Sequence, residues 1–312
     1  MEQRNVGRSG LRVSLLGMGC NNFGQWIDLD ATRRVVHRAL DLGVTLFDTA
    51  DVYGQGASEE QLGIALGDRR KDVVIASKFG MAMEKGGKGA SRQYIMTAVE
   101  ASLGRLKTDW IDLYQLHQPE PATPIEETLR ALQDLIAQGK VRYIGCSNLS
   151  APQLVEACRT AEAAGVTGFV SGQEEYSLLV RDIDRALLPP MQDNGLGLLP
   201  YRPLASGYLT GKYKRNEPMP AGARLATVKR FADRFATPEN WDKLERLEAF
   251  AAARGRTVLD LAFGWLAAKP FIPSVIAGAT RPEQVDQNLK AVTCNLSADE
   301  ISHLEALFPS PA

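Results

Sequence analysis

The sequence predicts an α/β protein built as a closed (β/α)₈ barrel, with a β-hairpin before the first strand and extra helices at the carboxyl end. Short apolar runs typical of buried strands recur eight times along the chain, and a segment with helical periodicity follows each of them. Strands that alternate with helices indicate a parallel sheet, and eight such units in 312 residues indicate that the sheet closes on itself. We therefore expect residues 1–312 to form a single barrel domain.

An open, doubly wound sheet is the alternative interpretation of the same alternation. Such a sheet would carry the Gly-x-Gly-x-x-Gly turn of dinucleotide-binding folds after its first strand. The corresponding stretch of this chain is Gly17-Met18-Gly19-Cys20-Asn21-Asn22, which lacks the third glycine. The sequence therefore favours the barrel over the open sheet.

The predicted elements follow one another in a regular order. A hairpin is expected over residues 5–14, around Arg8-Ser9-Gly10. The strands are expected at 15–19, 44–48, 73–78, 111–117, 141–146, 168–173, 196–200 and 272–276. The helices are expected at 30–42, 58–67, 91–106, 123–139, 150–165, 182–193, 241–253 and 258–267, with two more that begin at 282 and 297. Two polar inserts, 81–90 and 206–235, follow the third and seventh strands.

Local capping signals predict where the helices begin and end. The stretches 58–61 and 123–126 both have the pattern of a capping box, and the second places a proline at the first helical position. Ser150 and Ser297 are predicted N-caps, because their hydroxyls can accept hydrogen bonds from the first free N–H groups. Gly43 is predicted to end the first helix in a left-handed conformation.

The composition excludes several classes of protein. Lys plus Arg number 36 and Asp plus Glu 37, so the net charge of −1 provides no field for nucleic acid or an acidic membrane surface. No apolar run approaches the roughly 20 residues of a membrane helix, and we expect no signal peptide, because no apolar run follows the first five residues. The four cysteines, Cys20, Cys146, Cys158 and Cys294, lack metal-binding spacing, which is typical of a reduced cytoplasmic protein. Of the three histidines, His37 and His303 are expected on helix surfaces, and no zinc site is expected.

Polar residues collect at the predicted carboxyl ends of the strands, where barrel enzymes place their chemistry. Asp48, Lys78 and His117 end three successive strands, and Tyr53 follows Asp48 in a Gly-rich turn. The other strand ends carry Cys20-Asn21, Ser147-Asn148, Gln173, Tyr201 and Gly278. Each residue taken alone has an ordinary structural explanation, such as a loop acid or a solvated lysine. Their joint placement favours a functional site.

The four titratable residues suit proton transfer to an oxygen atom. An ion pair between Asp48 and Lys78 would lie beside Tyr53, and a nearby cation favours the phenolate, so we expect the pKa of Tyr53 to be lowered. His117 would hydrogen-bond the same substrate oxygen and orient it. Because no side chain donates a hydride, such a site requires a redox cofactor.

Several short motifs occur along the chain, each once, in a characteristic order. They are Phe47-Asp48-Thr49-Ala50 with Tyr53-Gly54, Ser77-Lys78, Asp112-Leu113-Tyr114-Gln115-Leu116-His117, Gly145-Cys146-Ser147-Asn148, Gln173, Tyr201 with Pro203-Leu204, Gly207-Tyr208-Leu209-Thr210-Gly211-Lys212, and Gly278-Ala279-Thr280 with Gln284 and Asn288. Each motif alone is weak evidence, but in this order and spacing they are highly specific. The chain resembles the aldo-keto reductases over essentially its whole length.

The resemblance implies a barrel that holds NADP(H) extended across its mouth, without a Rossmann domain. Asp48, Tyr53, Lys78 and His117 match the catalytic tetrad of the family, with Tyr53 as the general acid in reduction and the base in oxidation. The residues that match cofactor-binding positions are Ser147, Asn148 and Gln173 for the nicotinamide carboxamide, Tyr201 for the nicotinamide ring, Leu204, Gly207 and Leu209 for the pyrophosphate, and Gly278, Ala279, Thr280, Arg281, Gln284 and Asn288 for the adenosine end.

The chain departs from the family pattern at two places. Many members have a serine where this chain has Arg202, and the first strand commonly ends in Thr-Trp, where this chain has Cys20-Asn21. We retain Cys20 and Asn21 as expected cofactor contacts, with Cys20 as a buried thiol. Arg281 would suit a 2′-phosphate, which favours NADP(H).

The insert 206–235 occupies the place of the loop that covers the cofactor in the family. Its Lys212, Lys214 and Arg215 would suit phosphate groups. Trp26 and the two inserts are expected to form the walls of the substrate pocket. These segments have the least regular pattern of the chain.

The leading functional hypothesis is a cytoplasmic enzyme that uses NADPH to reduce aldehyde or ketone carbonyls of small molecules to alcohols. Some relatives in the family attach to membrane channels, so the alternative is an NADPH-binding regulatory or redox-sensing subunit with little turnover. A barrel hydrolase that uses Asp48 and His117 is a third hypothesis, and it would bind no nicotinamide.

Overall fold

The computed structural model describes residues 1–84 and 87–310; Lys85 and Gly86 of the predicted insert 81–90 lie outside the described residues. A short antiparallel hairpin, β1 (Gln3–Asn5) and β2 (Arg12–Ser14), comes first. The barrel strands are β3 (Leu16–Gly19), β4 (Leu46–Asp48), β5 (Val74–Phe79), β6 (Ile111–Leu116), β7 (Val141–Ser147), β8 (Ser171–Glu175), β9 (Gly197–Tyr201) and β10 (Val275–Gly278). The predicted (β/α)₈ barrel with an N-terminal hairpin is confirmed.

The eight barrel strands are parallel and follow the chain order around the sheet. Each strand from β3 to β9 pairs with the next, and β10 returns to pair with β3. The backbone N–H of Leu198 in β9 donates to the carbonyl of Phe271, shortly before β10, at 2.9 Å. The two ends of the sheet therefore meet, and the strands form a barrel.

Helices surround the barrel, and the last of them lies at the carboxyl end of the chain. They are α1 (Leu29–Asp41), α2 (Ala57–Leu66), α3 (Arg92–Leu106), α4 (Ile125–Ala137), α5 (Ala151–Ala164), α6 (Ile183–Ala186), α7 (Leu188–Asp193), α8 (Arg224–Thr227), α9 (Lys229–Phe235), α10 (Pro238–Ala252), α11 (Val258–Ala267), α12 (Pro282–Val292) and α13 (Ala298–Leu307). None of these helices has both the length and the apolar character needed to span a bilayer.

The core has two parts. The larger part lies between the strands and the surrounding helices, as expected for an α/β barrel. The smaller part unites the buried hairpin residues with apolar residues of the barrel strands: Val6, Leu11, Val13, Leu46, Ala76, Leu113, Leu199 and Ile276. The hairpin therefore packs against the barrel interior from the end opposite to the carboxyl ends of the strands.

Side-chain alternation along the strands links this apolar layer to the polar end of the barrel. Side chains two residues apart on a strand point to the same face. Leu46 of β4 and Ala76 of β5 belong to the inner apolar cluster, so Asp48 and Lys78 point into the same interior, one layer closer to the carboxyl ends. The same spacing on β6 aligns His117 with Leu113.

Two predicted capping boxes are wrong. Helix α2 begins at Ala57 after Gly56, whose φ is +98°, and Ser58 instead donates its hydroxyl to the carbonyl of Cys20 at 2.8 Å. Helix α4 begins at Ile125 after Pro124 without a side-chain cap. The partner of Ser58 lies 38 positions away in the sequence, so local pattern alone does not reveal it. The predicted N-caps Ser150 and Ser297 are confirmed, and each belongs to a capping box in the structure.

Other boundaries also differ from the prediction; for example, the strand expected at 168–173 is Ser171–Glu175 and the helix expected at 241–253 is Pro238–Ala252. The helix expected at 182–193 is divided into α6 and α7 at Leu187, next to the pair Pro189-Pro190. The last strand begins at Val275 rather than 272, since Pro273 cannot donate a ladder hydrogen bond. The insert 206–235 contains α8, α9 and most of a 3₁₀ segment, Ala205–Thr210, rather than open loop.

Candidate active site

The centre of the site is a buried ion pair between two adjacent strands. The ammonium of Lys78, at the end of β5, donates to the two carboxylate oxygens of Asp48, at the end of β4, at 2.8 and 2.9 Å. It also donates to the carbonyl of Thr49 at 2.9 Å. Lys78 is fully buried, so these bonds replace the water that an ammonium group would otherwise bind. The sequence predicted this pair.

Amide groups complete the surroundings of Asp48. The side-chain nitrogen of Gln173, on β8, donates to Asp48 Oδ1 at 2.8 Å, and that of Gln115, on β6, lies 3.5 Å from the same oxygen. Asp48 is therefore held by residues from three other strands. This arrangement fixes the carboxylate rigidly, and through it the ammonium of Lys78.

The hydroxyl of Tyr53 lies 3.5 Å from Lys78 Nζ, at the start of a 3₁₀ turn that follows β4. Burial raises the pKa of Tyr53 above its usual range; Lys78 opposes this rise, and Asp48 adds to it. The predicted lowering is therefore wrong, because desolvation of the phenolate outweighs the nearby cation. Tyr53 consequently keeps its proton at neutral pH.

Lys78 itself remains charged. Burial lowers its pKa, but the negative charge of Asp48 and the Tyr53 hydroxyl raise it by more, so the net direction is upward. A charged ammonium that touches a neutral phenol stabilises the phenolate when the proton leaves. Tyr53 can therefore donate a proton to a bound acceptor more easily than its resting pKa indicates.

His117 completes the group that the sequence predicted. Its ring meets that of Tyr53 edge to face, with centroids 5.8 Å apart and an interplanar angle of 80°. Burial, with a contribution from Lys78, lowers the pKa of His117 to about 3. The imidazole is therefore neutral and offers one N–H donor beside the phenol. By contrast, His37 and His303 are exposed, as predicted.

A cavity of about 560 Å³ opens at the carboxyl ends of the strands, and Asp48, Tyr53 and His117 line its floor. Most of the predicted cofactor-binding residues also line it: Cys20, Asn21, Ser147, Asn148, Gln173, Tyr201, Leu204, Gly207, Lys212, Gly278, Thr280 and Gln284. Residues separated by more than two hundred positions in sequence thus share one cavity. Trp26 and Met81 stand in its wall, as predicted.

The remaining predicted cofactor contacts lie next to the cavity without lining it. Leu209 and Ala279 are buried in the core, and Asn288 is nearly buried on α12. The Arg281 side chain is 62% exposed, and its contact with the Glu283 carboxylate is long, at 3.8 Å. The guanidinium can therefore turn to another anion. Their role in cofactor binding stays a prediction.

The cysteine at the cavity mouth is not a reactive thiol. Cys20 is fully buried, and its sulfur lies 3.5 Å from the carbonyl of Met18. Burial, together with the charge of Asp48, raises the pKa of Cys20 well above its usual range. The thiol therefore stays protonated, as the sequence predicted.

Two of the basic residues assigned to phosphate point away from the cavity. Lys214 pairs with Glu248 of α10 at 2.8 Å, and Arg215 pairs with Glu245 at 2.9 Å. Helix α10 therefore holds both side chains on the outer surface. Of the three candidates in the insert, Lys212 alone lines the cavity.

Several residues that line the cavity, including Asn22 and Arg224, were not predicted from the sequence as site residues. The Arg224 guanidinium donates to Asn22 Oδ1 at 2.6 Å and lies 5.6 Å from the ring centre of Trp26. This contact joins the insert to the loop after β3. No local pattern could have revealed a contact between residues 202 positions apart.

Three cations converge at this end of the cavity. Burial lowers the pKa of Lys212, and the charges of Arg281 and Arg224 lower it further. Burial, together with Arg202, also lowers the pKa of Arg224. Cations that disfavour one another's charge are stabilised by a bound anion, so this end of the cavity suits phosphate groups.

The other end of the cavity presents amide and aromatic groups. The Asn148 amide donates to the carbonyl of His117 and to Ser147 Oγ, both at 2.9 Å, and it accepts from the Tyr201 hydroxyl at 2.8 Å. An aromatic ring and amide groups suit a nicotinamide, which has a flat ring and a carboxamide. The residues present therefore fit a nicotinamide dinucleotide.

Neutral proton donors next to a cavity of this kind are typical of a barrel-fold oxidoreductase, because a bound dinucleotide would supply the hydride that side chains lack. Sequence comparison identifies the family. Residues 15–308 match the sequence model of the Aldo/keto reductase family, and the chain belongs to that family. Aldo/keto reductases are oxidoreductases that act on small molecules with nicotinamide cofactors.

Several curated proteins are similar over nearly the whole chain. A probable voltage-gated potassium channel subunit beta from Arabidopsis thaliana is 39% identical over 94% of this chain and 91% of its own length. The L-glyceraldehyde 3-phosphate reductase of Escherichia coli K12 is 33% identical over 98% of this chain and 92% of its own. An uncharacterized oxidoreductase from Bacillus subtilis, YrpG, is 35% identical over 100% of this chain and 97% of its own.

Proposed function

We propose that this protein is an NADP(H)-dependent carbonyl reductase that converts aldehydes or ketones to alcohols. The observation that carries the proposal is the position of the Tyr53 hydroxyl. It lies 3.5 Å from a fully buried ammonium, Lys78, and its ring touches that of a neutral histidine, on the floor of a cavity that suits a nicotinamide dinucleotide.

In the proposed mechanism, the hydride that reaches the carbonyl carbon would come from bound NADPH, because no side chain can donate one. His117 donates a hydrogen bond to the carbonyl oxygen and orients it. Tyr53 gives its proton to that oxygen as the C–O double bond becomes a single bond, and Lys78 stabilises the phenolate that remains. Asp48 keeps Lys78 in place. In the oxidation of an alcohol, Tyr53 takes the proton back as a general base.

The cofactor would be held by residues that line or adjoin the cavity. Ser147, Asn148, Gln173 and Tyr201 are proposed for the nicotinamide end. Leu204, Gly207, Leu209 and Lys212 are proposed for the pyrophosphate, with Cys20 and Asn21 beside them, and Gly278, Ala279, Thr280, Arg281, Gln284 and Asn288 for the adenosine end. The exposed guanidinium of Arg281 supports a preference for the 2′-phosphate of NADP(H) over NAD(H).

The cysteines support a reducing compartment, such as the cytoplasm. Cys20, Cys146, Cys158 and Cys294 are free thiols in the structure. Disulfides are rare in compartments that keep thiols reduced. We therefore place the proposed activity in the cytoplasm and its substrate among small carbonyl compounds.

Replacing Tyr53 with Phe tests the mechanism. We expect Tyr53→Phe to lower turnover of a good aldehyde substrate by about 10²- to 10⁴-fold, because the proton donor is lost. The affinity for NADPH, measured by fluorescence titration, should stay within about threefold of the parent. Turnover at the parent rate would overturn the assignment of Tyr53.

A regulatory role is the second candidate, and one observation favours it. Several of the similar proteins are named as potassium channel beta subunits, including the one from Arabidopsis thaliana. If this chain acts as an NADPH-binding regulatory subunit, it should bind NADPH tightly, turn over very slowly and bind a specific protein partner. Steady-state NADPH oxidation with a panel of aldehydes separates the two candidates, since only the enzyme turns over rapidly.

A further inference from the structure

Glu174 is a buried carboxylate beside the cavity for which the proposed mechanism has no use. It lies on β8 between Gln173, which points into the barrel, and Glu175. Only 6% of its surface is exposed. Among the described residues no cation pairs with it, whereas Glu175 pairs with Arg202 and Arg234. Burying an acidic group without a cation is costly even when the group keeps its proton, which indicates that Glu174 performs a specific task.

The carboxylate of Glu174 is directed at the backbone that follows β7. Its Oε1 accepts a hydrogen bond from the N–H of Asn148 at 2.8 Å, and the N–H of Leu149 also stabilises its charge. Burial raises the pKa of Glu174 to about 8, and these two N–H groups oppose the rise. The contact therefore joins β8 to the turn that carries part of the proposed nicotinamide site.

Asn148 has an unusual backbone at this position. Its φ is +61°, in the left-handed region that residues other than glycine seldom adopt. Its side chain nevertheless has three partners in the site, namely the His117 carbonyl, the Ser147 hydroxyl and the Tyr201 hydroxyl. These contacts require the peptide plane of Asn148 to keep one orientation, and Glu174 is the side chain that binds its N–H.

Building on the proposed function, we propose that Glu174 is a positioning residue for cofactor binding. An oxygen of its carboxyl group holds the Asn148 backbone in the left-handed conformation that directs the Asn148 amide across the nicotinamide end of the cavity. Glu174 acts through Asn148 and touches neither cofactor nor substrate. The residue needed at position 174 is consequently a hydrogen-bond acceptor of the right length.

The test compares Glu174→Met, which removes the acceptor at similar volume, with Glu174→Gln, which keeps an acceptor oxygen. NADPH fluorescence titration should show affinity weakened by about tenfold or more in Glu174→Met and by at most about twofold in Glu174→Gln. With saturating NADPH, kcat for an aldehyde should stay within about threefold of the parent in both. Unaltered affinity in Glu174→Met would overturn the proposal. A fall in kcat as large as the loss of affinity would also overturn the proposal, because that result would show that the substitution disrupts the whole site rather than cofactor binding alone.

A double-mutant cycle tests whether Glu174 acts through Asn148. Asn148→Gly removes the side chain, and glycine adopts the left-handed backbone without strain. In the Asn148→Gly background, Glu174→Met should cause no further loss of NADPH affinity. An equal loss in both backgrounds would refute the proposed route. If Glu174→Met does not fold, Glu174→Asp replaces it in the test. Aspartate is one methylene shorter, so its carboxyl group lies farther from the Asn148 N–H, and NADPH affinity should also fall.

Failure of this inference can be told apart from failure of the proposed function. NADPH binding by the unaltered protein is measured first. If the unaltered protein does not bind NADPH, the proposed function is wrong. If it binds NADPH and the Glu174→Met variant binds equally well, the role of Glu174 alone is wrong.

Discussion

At the scale of single residues, burial determines the charge of the groups that would meet a substrate. Burial beside Lys78 lowers the pKa of His117 to about 3, and burial raises that of Tyr53. Both side chains are therefore neutral hydrogen-bond donors, while the positive charge stays on Lys78. A carbonyl oxygen that gains negative charge would then meet two donors backed by one fixed cation.

The lowered pKa of His117 predicts a pH dependence of stability. Below about pH 6.5 the unfolded chain protonates this histidine but the folded protein does not, so stability should fall by up to about 1.4 kcal/mol per pH unit. We expect urea unfolding to show that, between about pH 6.5 and pH 5, the free energy of unfolding of the parent falls relative to that of His117→Gln by this amount.

Other buried acids act in the opposite direction, but the comparison cancels them. Burial raises the pKa of Asp51 to about 7 and that of Glu174 to about 8, and such raised values favour the folded state as the pH falls. Both acids are present in the parent and in the His117→Gln variant. The difference between the two curves therefore reports His117, and parallel curves would contradict the lowered pKa.

At the scale of elements, the regular alternation of the strands positions the catalytic candidates, and close helix packing supports the strands that carry them. Helices α2 and α3 approach each other at Gly63, where an added Cβ would lie 2.5 Å from the backbone oxygen of Leu106. Glu59 of α2 and Arg105 of α3 form an ion pair at 2.7 Å in the same interface. A glycine at position 63 is therefore required by packing, not by backbone conformation.

Replacing either of two glycines in this helix pair with alanine should have opposite effects on the free energy of unfolding. Gly63→Ala should lower the free energy of unfolding by about 1–3 kcal/mol, because backbone has to move to admit the methyl group. Gly104→Ala is the matched control: no atom lies within 4 Å of its added Cβ, so it should raise stability by about 0.5–1 kcal/mol. Urea unfolding measures both variants, and a stabilised Gly63→Ala protein would show that the helices are less closely packed.

At the scale of the whole molecule, the cavity is assembled from segments distributed along the entire chain. The loop after β3, the insert 206–235 and the start of α12 meet there, and the contact between Arg224 and Asn22 joins the first two. The converging cations Lys212, Arg224 and Arg281 lie at this junction. A dinucleotide bound across the mouth would therefore crosslink elements from both ends of the sequence.

This arrangement predicts that the cofactor stabilises the fold as a whole. At 100 times its Kd, NADPH should add about 2.7 kcal/mol to the free energy of unfolding, if it binds only the folded state. NADH at the same concentration should add less, because it lacks the phosphate that suits Arg281. Thermal unfolding with each cofactor measures the effect. Equal shifts in Tm would contradict the proposed preference for NADP(H).

Much of the fold and part of the site could be predicted from the sequence. Strand and helix periods are local properties, so they indicate the barrel, the hairpin and the strand ends that carry Asp48, Lys78 and His117. The start predicted at 123 lies two residues too early, and the helix start at 58 was predicted wrongly because the Ser58 hydroxyl binds the distant backbone carbonyl of Cys20 instead of capping the helix. For the same reason, the periodicity gave no sign of Arg224 in the cavity or of the outward pairing of Lys214.

The sequence by itself therefore determined the architecture and the residue types at the strand ends, since both follow from periodicity and order along one chain. The tertiary structure alone decided the electrostatics. The direction of the Tyr53 shift depends on how much desolvation opposes the cation of Lys78, and that balance exists only after the strands enclose both groups. It also decided that Glu174 faces the Asn148 backbone, because Glu174 lies on β8 and Asn148 directly follows β7, and folding sets the register of these two neighbouring strands.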